Sequence, residues 1–289
     1  MMSTEERKTI YLCLAHMSEE GFEQKYVKEA FDTNWVVPMG PNVNAFEQNL
    51  ADFANANLDG SKLDRKVVCL SAGTAAVHLA LIACGVKAGD EVCVQSFTFC
   101  ASSHPITYLG AKPVFIDSER ETWNMDPELL EKAIVERKAV TGKYPKAIIP
   151  VALYGMPYDC ERIMAIADKY GIPVIEDAAE GMGSRFNGQV LGTFGRFGVL
   201  SFNGNKMITT SGGGALICRN EEDANNIMWH ATQARDAYPY YQHTEIGYNY
   251  RMSNVCAGIG RGQMTVLDKH IAHHKHVQKL YKELLKDVA

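Results

Sequence analysis

Residues 174–216 read VIEDAAEGMGSRFNGQVLGTFGRFGVLSFNGNKMITTSGGGAL and carry the strongest indication of the fold. A short apolar run ends at Glu176 and Asp177, and a second run, over residues 198–202, leads into the loop that carries Lys206. Apolar runs that end in polar loops are typical of strands in an open α/β sheet, where ligands bind at the carboxyl ends of the strands. We therefore predict that Asp177 and Lys206 both lie in a ligand site.

A carboxylate and a loop lysine in this arrangement are typical of pyridoxal phosphate enzymes. In such enzymes a lysine holds the cofactor aldehyde as a Schiff base, and an aspartate pairs with the pyridinium nitrogen. The protonated ring withdraws electrons from the substrate, and the displaced lysine can transfer the proton. Each residue alone has an ordinary explanation, because loop lysines are mostly solvated and an aspartate after a strand often caps a helix.

Several motifs along the chain resemble those of the DegT/DnrJ-type nucleotide-sugar aminotransferases. They are SAGTAA at residues 71–76, SFTF at 96–99, EDAAE at 176–180, SFNGNK with ITTSGGG at 201–214, and GYNYRM at 247–252. The motifs follow the family's order and span most of the chain. The resemblance implies an α/β fold with the large domain of the fold type I pyridoxal phosphate-dependent transferases, and an aminotransferase activity.

The resemblance also implies a role for individual residues. Lys206 and Asp177 would be catalytic and would hold the cofactor aldehyde and ring nitrogen. The other cofactor contacts it implies are Gly73, Thr74 and Ser201 for the phosphate, Phe99 for the ring face, and Glu180 for the phenolic oxygen. A small-residue turn that opens a helix also suits a phosphate on physical grounds, because free N–H groups and the helix dipole point at it. Position 180 departs from the family pattern, in which glutamine or histidine is common.

Residues near the C-terminal motif are predicted to complete the site. By resemblance, Asn249 reaches the cofactor phosphate of a neighbouring subunit, which implies a homodimer with shared active sites. Arg251 could bind a substrate carboxylate through its fork of donors, although a surface arginine is an equally good interpretation. Arg235, Arg251 and the turn over residues 34–40 are the candidates for contacts to a substrate diphosphate.

Strand and helix patterns alternate along the chain. Apolar runs at residues 66–70, 91–95, 113–116, 147–151 and 214–218 predict further strands, with helical patterns between most of them. Parallel strands need crossover helices, so the alternation predicts a three-layer, mostly parallel sheet. We place an N-terminal arm and the large cofactor-binding domain in residues 1–252. Residues 253–289 are predicted to form a long interdomain helix and the start of a smaller, truncated C-terminal domain.

Composition excludes several classes of partner. The formal charge of −5 is distributed over mixed signs, so no basic face for nucleic acid is expected. Eight cysteines occur without a CxxC pair, which is typical of reduced thiols rather than of a disulfide framework or a zinc site. No apolar stretch approaches the roughly 18 residues of a membrane helix. We therefore expect a cytoplasmic protein without membrane or nucleic-acid partners.

Four histidines near the C-terminus have the composition of a metal cluster: His270, His273, His274 and His276. Adjacent positions on a helix point in different directions, so we expect these side chains to face solvent. No metal site is predicted.

The resemblance implies glutamate as the amino donor and a nucleotide-linked 4-keto-6-deoxy sugar as the acceptor, in amino-sugar biosynthesis for a surface polysaccharide or glycan. The lysine loop is most similar to that of enzymes making 4-amino-4,6-dideoxy-N-acetylglucosamine linked to uridine diphosphate. Two alternatives stay open. One is a sugar dehydratase of the same fold, in which histidine replaces the lysine. The other is a non-catalytic family member, which the expected truncation would favour.

Overall fold

Helices and strands alternate through residues 15–288, the part of the chain that the computed structural model describes. The helices are α1 (Phe22–Asp32), α2 (Pro41–Asn55), α3 (Gly73–Ala83), α4 (His104–Tyr108), α5 (Pro127–Thr141), α6 (Cys160–Tyr170), α7 (Glu221–Ala231), α8 (Asn254–Thr265) and α9 (Leu267–Leu284). The strands are β1 (Lys66–Leu70), β2 (Glu91–Gln95), β3 (Lys112–Ile116), β4 (Ala147–Ile149), β5 (Ile175–Asp177), β6 (Arg185–Phe186), β7 (Gln189–Val190), β8 (Phe197–Ser201) and β9 (Gly214–Cys218). Short 3-10 turns lie at Cys100–Ser102 and Leu153–Gly155.

Seven of these strands form one twisted sheet in the order β3-β2-β4-β5-β8-β9-β1. Two parallel bridges, Ile148 with Val174 and Val151 with Asp177, join the three strands on one side to the four on the other. Strand β9 runs antiparallel to both of its neighbours, whereas the other pairings are parallel. The predicted mostly parallel α/β sheet is therefore confirmed.

Helices cover both faces of the sheet, which makes three layers. On one face α3 and α7 bury Leu79 and Ile227 against the strands. On the other face α2, α5 and α6 bury Phe46, Leu130 and Ile163. The strands between these layers are buried almost throughout, as expected for a parallel sheet with both faces covered.

The helical pattern after residue 252 is divided into two helices, where the sequence predicts one. Val266 has φ −114° and ψ 8°, which is outside the helical region and separates α8 from α9. Helix α8 packs against α1 and α2 through a row of glycines. A Cβ added at Gly260 would lie 2.6 Å from the Phe46 ring, and one at Gly262 would lie 2.5 Å from the Glu23 nitrogen. The small residues therefore allow three helices to approach closely, while α9 is exposed along most of its length.

The cysteines and histidines are distributed as single residues. The cysteines in the described range are free thiols, most of them buried, and Cys13 lies outside that range. No group of three or more potential ligands could hold a metal ion within residues 15–288. In the same residues, no helix combines the length and apolar character that crossing a bilayer requires.

We predict that Gly214→Ala destabilises the fold. An added Cβ would lie 2.4 Å from the Gly73 nitrogen and 2.5 Å from the Ala72 carbonyl carbon, so β9 and the start of α3 must separate. Overpacking of this kind costs about 1 to 3 kcal/mol in the free energy of unfolding. Urea denaturation would measure it, with Gly212→Ala as the matched control, because a Cβ at Gly212 meets nothing within 4 Å. Equal stability of the two variants would contradict the prediction.

Candidate active site

A cavity of about 570 Å³ opens at the carboxyl edge of the sheet. Its walls come from the loops that follow β1, β2, β4, β5 and β8, and from the glycine run before β9. Because the parallel strands end at this edge, residues distant in sequence meet here. The lining brings together most of the predicted cofactor contacts: Gly73, Thr74, Phe99, Asp177, Glu180, Ser201 and Lys206.

Lys206 projects into this cavity from the loop after β8. Its backbone N–H donates to the Asn203 carbonyl at 3.0 Å, which closes a turn before the lysine. The Nζ atom lies 3.2 Å from Oε1 of Glu180, and the lysine side chain is 16% exposed. The amine is thus nearly enclosed, and a carboxylate balances its charge.

Asp177 is a buried carboxylate at the end of β5. Its Oδ2 accepts from the Ser102 hydroxyl at 2.6 Å, and its Oδ1 accepts from the Ala179 N–H at 3.1 Å. Burial raises the pKa of Asp177, while these two hydrogen bonds and the charge of Lys206 oppose that rise. An ion held with so little water is stabilised by a cationic or N–H-bearing ligand. The carboxylate therefore suits a protonated ring nitrogen.

Ser102 is a site residue that sequence reasoning missed. It is fully buried, and its hydroxyl lies 2.8 Å from the Thr98 hydroxyl as well as beside Asp177. Because the Ser102 hydroxyl donates to the aspartate, the Thr98 hydroxyl donates a hydrogen bond to the Ser102 oxygen. Two linked hydroxyls thus orient the carboxylate. A serine in a 3-10 turn has no sequence signal that would have predicted this contact.

The start of α3 provides an anion site on the opposite wall. Among the described residues, no side chain caps this helix at Ala72, so the first N–H groups of α3 stay available to a ligand. Ser201 lies against this helix start, since a Cβ at Gly73 would be 3.1 Å from the Ser201 Cβ. The free N–H groups, the helix dipole and hydroxyls together fit a phosphate.

Two buried amides connect the loops around the cavity. Oε1 of Gln95 accepts from the backbone N–H of Met125 at 2.8 Å and of Val151 at 3.3 Å. Oδ1 of Asn124 accepts from the Leu153 N–H at 3.1 Å. Both amide side chains are completely buried, so they fix the rim of the cavity relative to the sheet.

Glu176 points to the other side of β5 and does not line the cavity. Its carboxylate accepts from the backbone N–H groups of Gly192, Phe194 and Gly195 at 2.7 to 3.0 Å. Burial raises the pKa of Glu176, and these hydrogen bonds oppose the rise. Glu176 thus holds the loop that leads into β8.

Two predicted site residues and one predicted turn lie outside the cavity of a single chain. Asn249 is exposed and bridges to Thr232. Arg235 is also exposed, with its guanidinium 4.3 Å from the centre of the Tyr241 ring. The turn over residues 34–40 does not line the cavity either.

Arg251 does not line the cavity of the single chain and is held by contacts inside the fold. Its guanidinium donates to Glu47 at 2.5 Å and to the Cys69 carbonyl at 2.9 Å, and its side chain is 9% exposed. Glu47 also accepts from the Cys69 N–H at 2.7 Å. These bonds fasten the 251 region to β1 and α2, and a contact of Arg251 with a substrate carboxylate stays a prediction.

A family model and two relatives of known name point to the same protein family. The model of the DegT/DnrJ/EryC1/StrS aminotransferase family matches residues 17–289. The chain is 49% identical over 278 residues to EpsN of Bacillus subtilis (strain 168), whose name assigns it to the pyridoxal phosphate-dependent aminotransferases; the match covers 96% of this chain and 69% of the relative. It is 37% identical over 273 residues to GDP-perosamine synthase of Escherichia coli O157:H7, with 94% and 71% covered.

A solved structure supports the same assignment. A DegT/DnrJ/EryC1/StrS aminotransferase from Brucella abortus superposes with a TM-score of 0.86 at 30% sequence identity. The superposition covers 93% of this chain and 70% of that one.

We predict that Asp177→Asn stabilises the ligand-free protein at pH 7.5. Because burial raises the pKa of Asp177 above its ordinary value of 3.8, the folded state holds this proton more tightly than the unfolded chain. Stability is therefore lost as pH rises from the unfolded pKa through the folded one. Asparagine removes the buried charge; its oxygen can still accept from the Ala179 N–H and its NH2 can donate to the Ser102 hydroxyl oxygen, so a gain in stability is expected at pH 7.5 that shrinks toward pH 4.

Urea denaturation at pH 7.5 and at pH 4.5 would measure this difference. Asp168→Asn, at an exposed position on α6, is the control for the same chemical change. If Asp177→Asn were destabilising at the higher pH and neutral at the lower one, the sign of the argument would be reversed.

Proposed function

The chain belongs to the DegT/DnrJ/EryC1/StrS aminotransferase family, and on that premise we propose that it uses pyridoxal phosphate to transfer an amino group to a nucleotide-linked keto sugar. One observation carries the proposal: Lys206 and the buried Asp177 share a cavity with the uncapped start of α3. The names of the relatives support both the cofactor and the class of substrate.

The residues of the cavity fit each part of this cofactor. The N-terminus of α3, with Thr74 and Ser201, would hold the phosphate, and Phe99 would lie on the ring face. Asp177 would pair with the ring nitrogen, and Glu180 lies close enough to Lys206 to contact the phenolic side. When bound, pyridoxal phosphate supplies a reactive aldehyde carbon and an electron-withdrawing ring.

Asp177, Ser102 and Lys206 have separate roles in the proposed reaction. Asp177 keeps a proton on the ring nitrogen, and Ser102 holds the Asp177 carboxylate in the required orientation. Lys206 would hold the cofactor aldehyde, and its amine would be placed to move a proton at the substrate carbon. The low exposure of the Lys206 amine limits competition from water.

We further propose glutamate as the donor and a uridine diphosphate-linked, N-acetylated 4-keto-6-deoxy sugar as the acceptor, aminated at carbon 4. The lysine loop over residues 201–214 supports this choice by its likeness to enzymes of that type. A hydrophobic pocket distinguishes a 6-methyl group from a hydroxymethyl by only about 1 to 3 kcal/mol, so related sugars are expected to react slowly. The free thiols of the described residues support a reducing compartment, and we propose the cytoplasm.

Two alternatives have less support. A dehydratase of this fold carries histidine at the position of Lys206, and here the lysine amine stands in the cavity beside Glu180. A non-catalytic member need not retain a buried Asp177 with its hydroxyl support, yet both are present.

Lys206→Ala is expected to abolish the proposed reaction, since no other amine lines the cavity among the described residues. Wild-type protein with pyridoxal phosphate, glutamate and the uridine diphosphate keto sugar should form the amino sugar, detected by mass spectrometry. A guanosine diphosphate keto sugar tests the alternative nucleotide.

Borohydride reduction should fix the cofactor to Lys206 in the wild type and leave the Lys206→Ala variant unlabelled. Lys169→Ala, at an exposed lysine on α6, is the control. A labelled Lys206→Ala variant would disprove the role of this lysine, and a wild type that neither binds the cofactor nor aminates any keto sugar would disprove the proposed function.

We propose a homodimer in which Asn249 serves the site of the partner subunit. Its exposure and its distance from the single-chain cavity support this role. In mixed dimers of Lys206→Ala and Asn249→Asp chains, one site would combine the intact Lys206 of one chain with the intact Asn249 of the other. Activity should therefore appear on mixing two inactive homodimers.

Absence of activity in the mixture, with heterodimers verified by mass spectrometry, would show that each site is built from one chain. The aspartate variant is chosen because its charge would repel the cofactor phosphate. As a control, Asn187→Asp, at an exposed asparagine in the turn between β6 and β7, should not need complementation.

A further inference from the structure

Tyr154 occupies an unusual position at the mouth of the cavity. It lines the opening, yet its side chain is 82% exposed, the highest value among the large apolar or aromatic residues that the structure describes. Its backbone has φ 52° and ψ 24°, inside the left-handed region. A bulky residue adopts this conformation only when its surroundings enforce it, and such strain concentrates at functional sites.

Three hydrogen bonds enforce the conformation of this turn. Oε2 of Glu180 accepts from the Tyr154 N–H at 2.6 Å. The Asn124 side-chain amide binds the backbone on both sides of Tyr154. It accepts from the Leu153 N–H at 3.1 Å and donates to the Met156 carbonyl at 2.9 Å. The turn therefore cannot relax without breaking a buried amide contact.

Glu180 also connects the turn to the lysine. One carboxylate oxygen binds the Tyr154 backbone, and the other lies 3.2 Å from Nζ of Lys206. The following glycine brings the two segments close, because a Cβ at Gly155 would be 2.9 Å from the Glu180 carbonyl oxygen. The backbone that carries the Tyr154 ring is thus held relative to the reacting amine.

A second strained aromatic residue stands on the same rim. Trp123, with φ 65°, directly precedes Asn124 and is 60% exposed. Its ring lies 5.8 Å from that of Phe97, which lines the cavity. Asn124, whose side-chain amide holds the Tyr154 turn, therefore directly follows a second residue with a left-handed backbone. Through its contact with Phe97, Trp123 extends the aromatic surface next to the cavity.

The charges of the cavity indicate which substrate these rings serve. Among the described residues that line it, Lys206 is the only cation, while Asp177 and Glu180 are acids. A dicarboxylate amino donor, like the diphosphate of the acceptor, would find little complementary charge among these residues. A neutral sugar ring, by contrast, offers C–H groups that pack on an aromatic face and hydroxyls that can bond to the tyrosine oxygen.

We propose that Tyr154, held by Asn124 and Glu180, binds the acceptor sugar and positions its keto carbon toward Lys206. This inference rests on the proposed function and adds a specificity-determining residue to it. The tyrosine would act on the sugar half of the reaction and leave the amino-donor half unaffected.

The test compares Tyr154→Ala, Tyr154→Gly and Tyr154→Phe with the wild type in the cofactor-loaded protein. Glycine removes the ring and also relieves the backbone strain, so a shared effect of alanine and glycine reports on the ring. Tyr281→Ala, at an exposed tyrosine on α9, is the control. Calorimetry measures the Kd of the uridine diphosphate-linked amino sugar, and absorbance measures the single-turnover rate with glutamate.

We expect the alanine and glycine variants to raise the Kd and the KM for the sugar about tenfold, as for the loss of one aromatic contact. The rate with glutamate should stay within about twofold of wild type, and Tyr154→Phe should lose less than the other two. The proposal would be overturned if sugar binding and the rate with glutamate were weakened equally. It would also be overturned by an unchanged sugar Kd together with a weakened dimer in sedimentation. A wild type that fails in both halves would instead refute the proposed function.

A second pair of variants examines how Tyr154 is held. In Glu180→Gln an amide oxygen can still accept from the Tyr154 N–H, whereas Glu180→Ala releases the turn. Sugar affinity should therefore fall further in the alanine variant than in the glutamine variant. The same affinity in both would show that Glu180 does not hold the tyrosine.

Discussion

A negative charge kept out of water at the end of β5 is the constraint on which the site depends. Asp177 has a hydroxyl and a backbone N–H as partners, and Lys206 approaches from the next strand. Such a charge is costly unless a ligand completes its surroundings. The sheet places the Asp177 carboxylate, the Lys206 amine and the uncapped start of α3 around one opening. The fold thus supplies three groups that a single ligand can contact together.

The sequence was sufficient to predict the strands and site residues that are marked by a local sequence pattern. The apolar runs predicted β1, β2, β8 and β9 closely, and the motifs led to the residues that meet in the cavity. Contacts between distant segments carry no local signal. Ser102 reaches Asp177 only after the sheet has formed, and Gln95 and Asn124 read as ordinary polar residues until their partners are known.

One sequence interpretation failed for an identifiable physical reason, and another stays a prediction. The donor geometry that suggested a substrate contact for Arg251 also suits Glu47 and a backbone carbonyl inside the fold. The pattern after residue 252 was read as continuous because apolar spacing persists across Val266. Helical periodicity alone does not reveal a single residue, Val266, whose backbone leaves the helical region and separates α8 from α9.

Glu176 and Asp177 are neighbours in sequence that face opposite sides of one strand. The first binds three backbone N–H groups and secures a loop, whereas the second faces the cavity. Because side chains alternate between the two faces of β5, Glu176 holds the fold together while Asp177 faces the candidate active site. In the course of evolution the two positions can be selected separately: a lineage could lose or replace the chemistry at position 177 while the carboxylate at position 176 continues to maintain the scaffold.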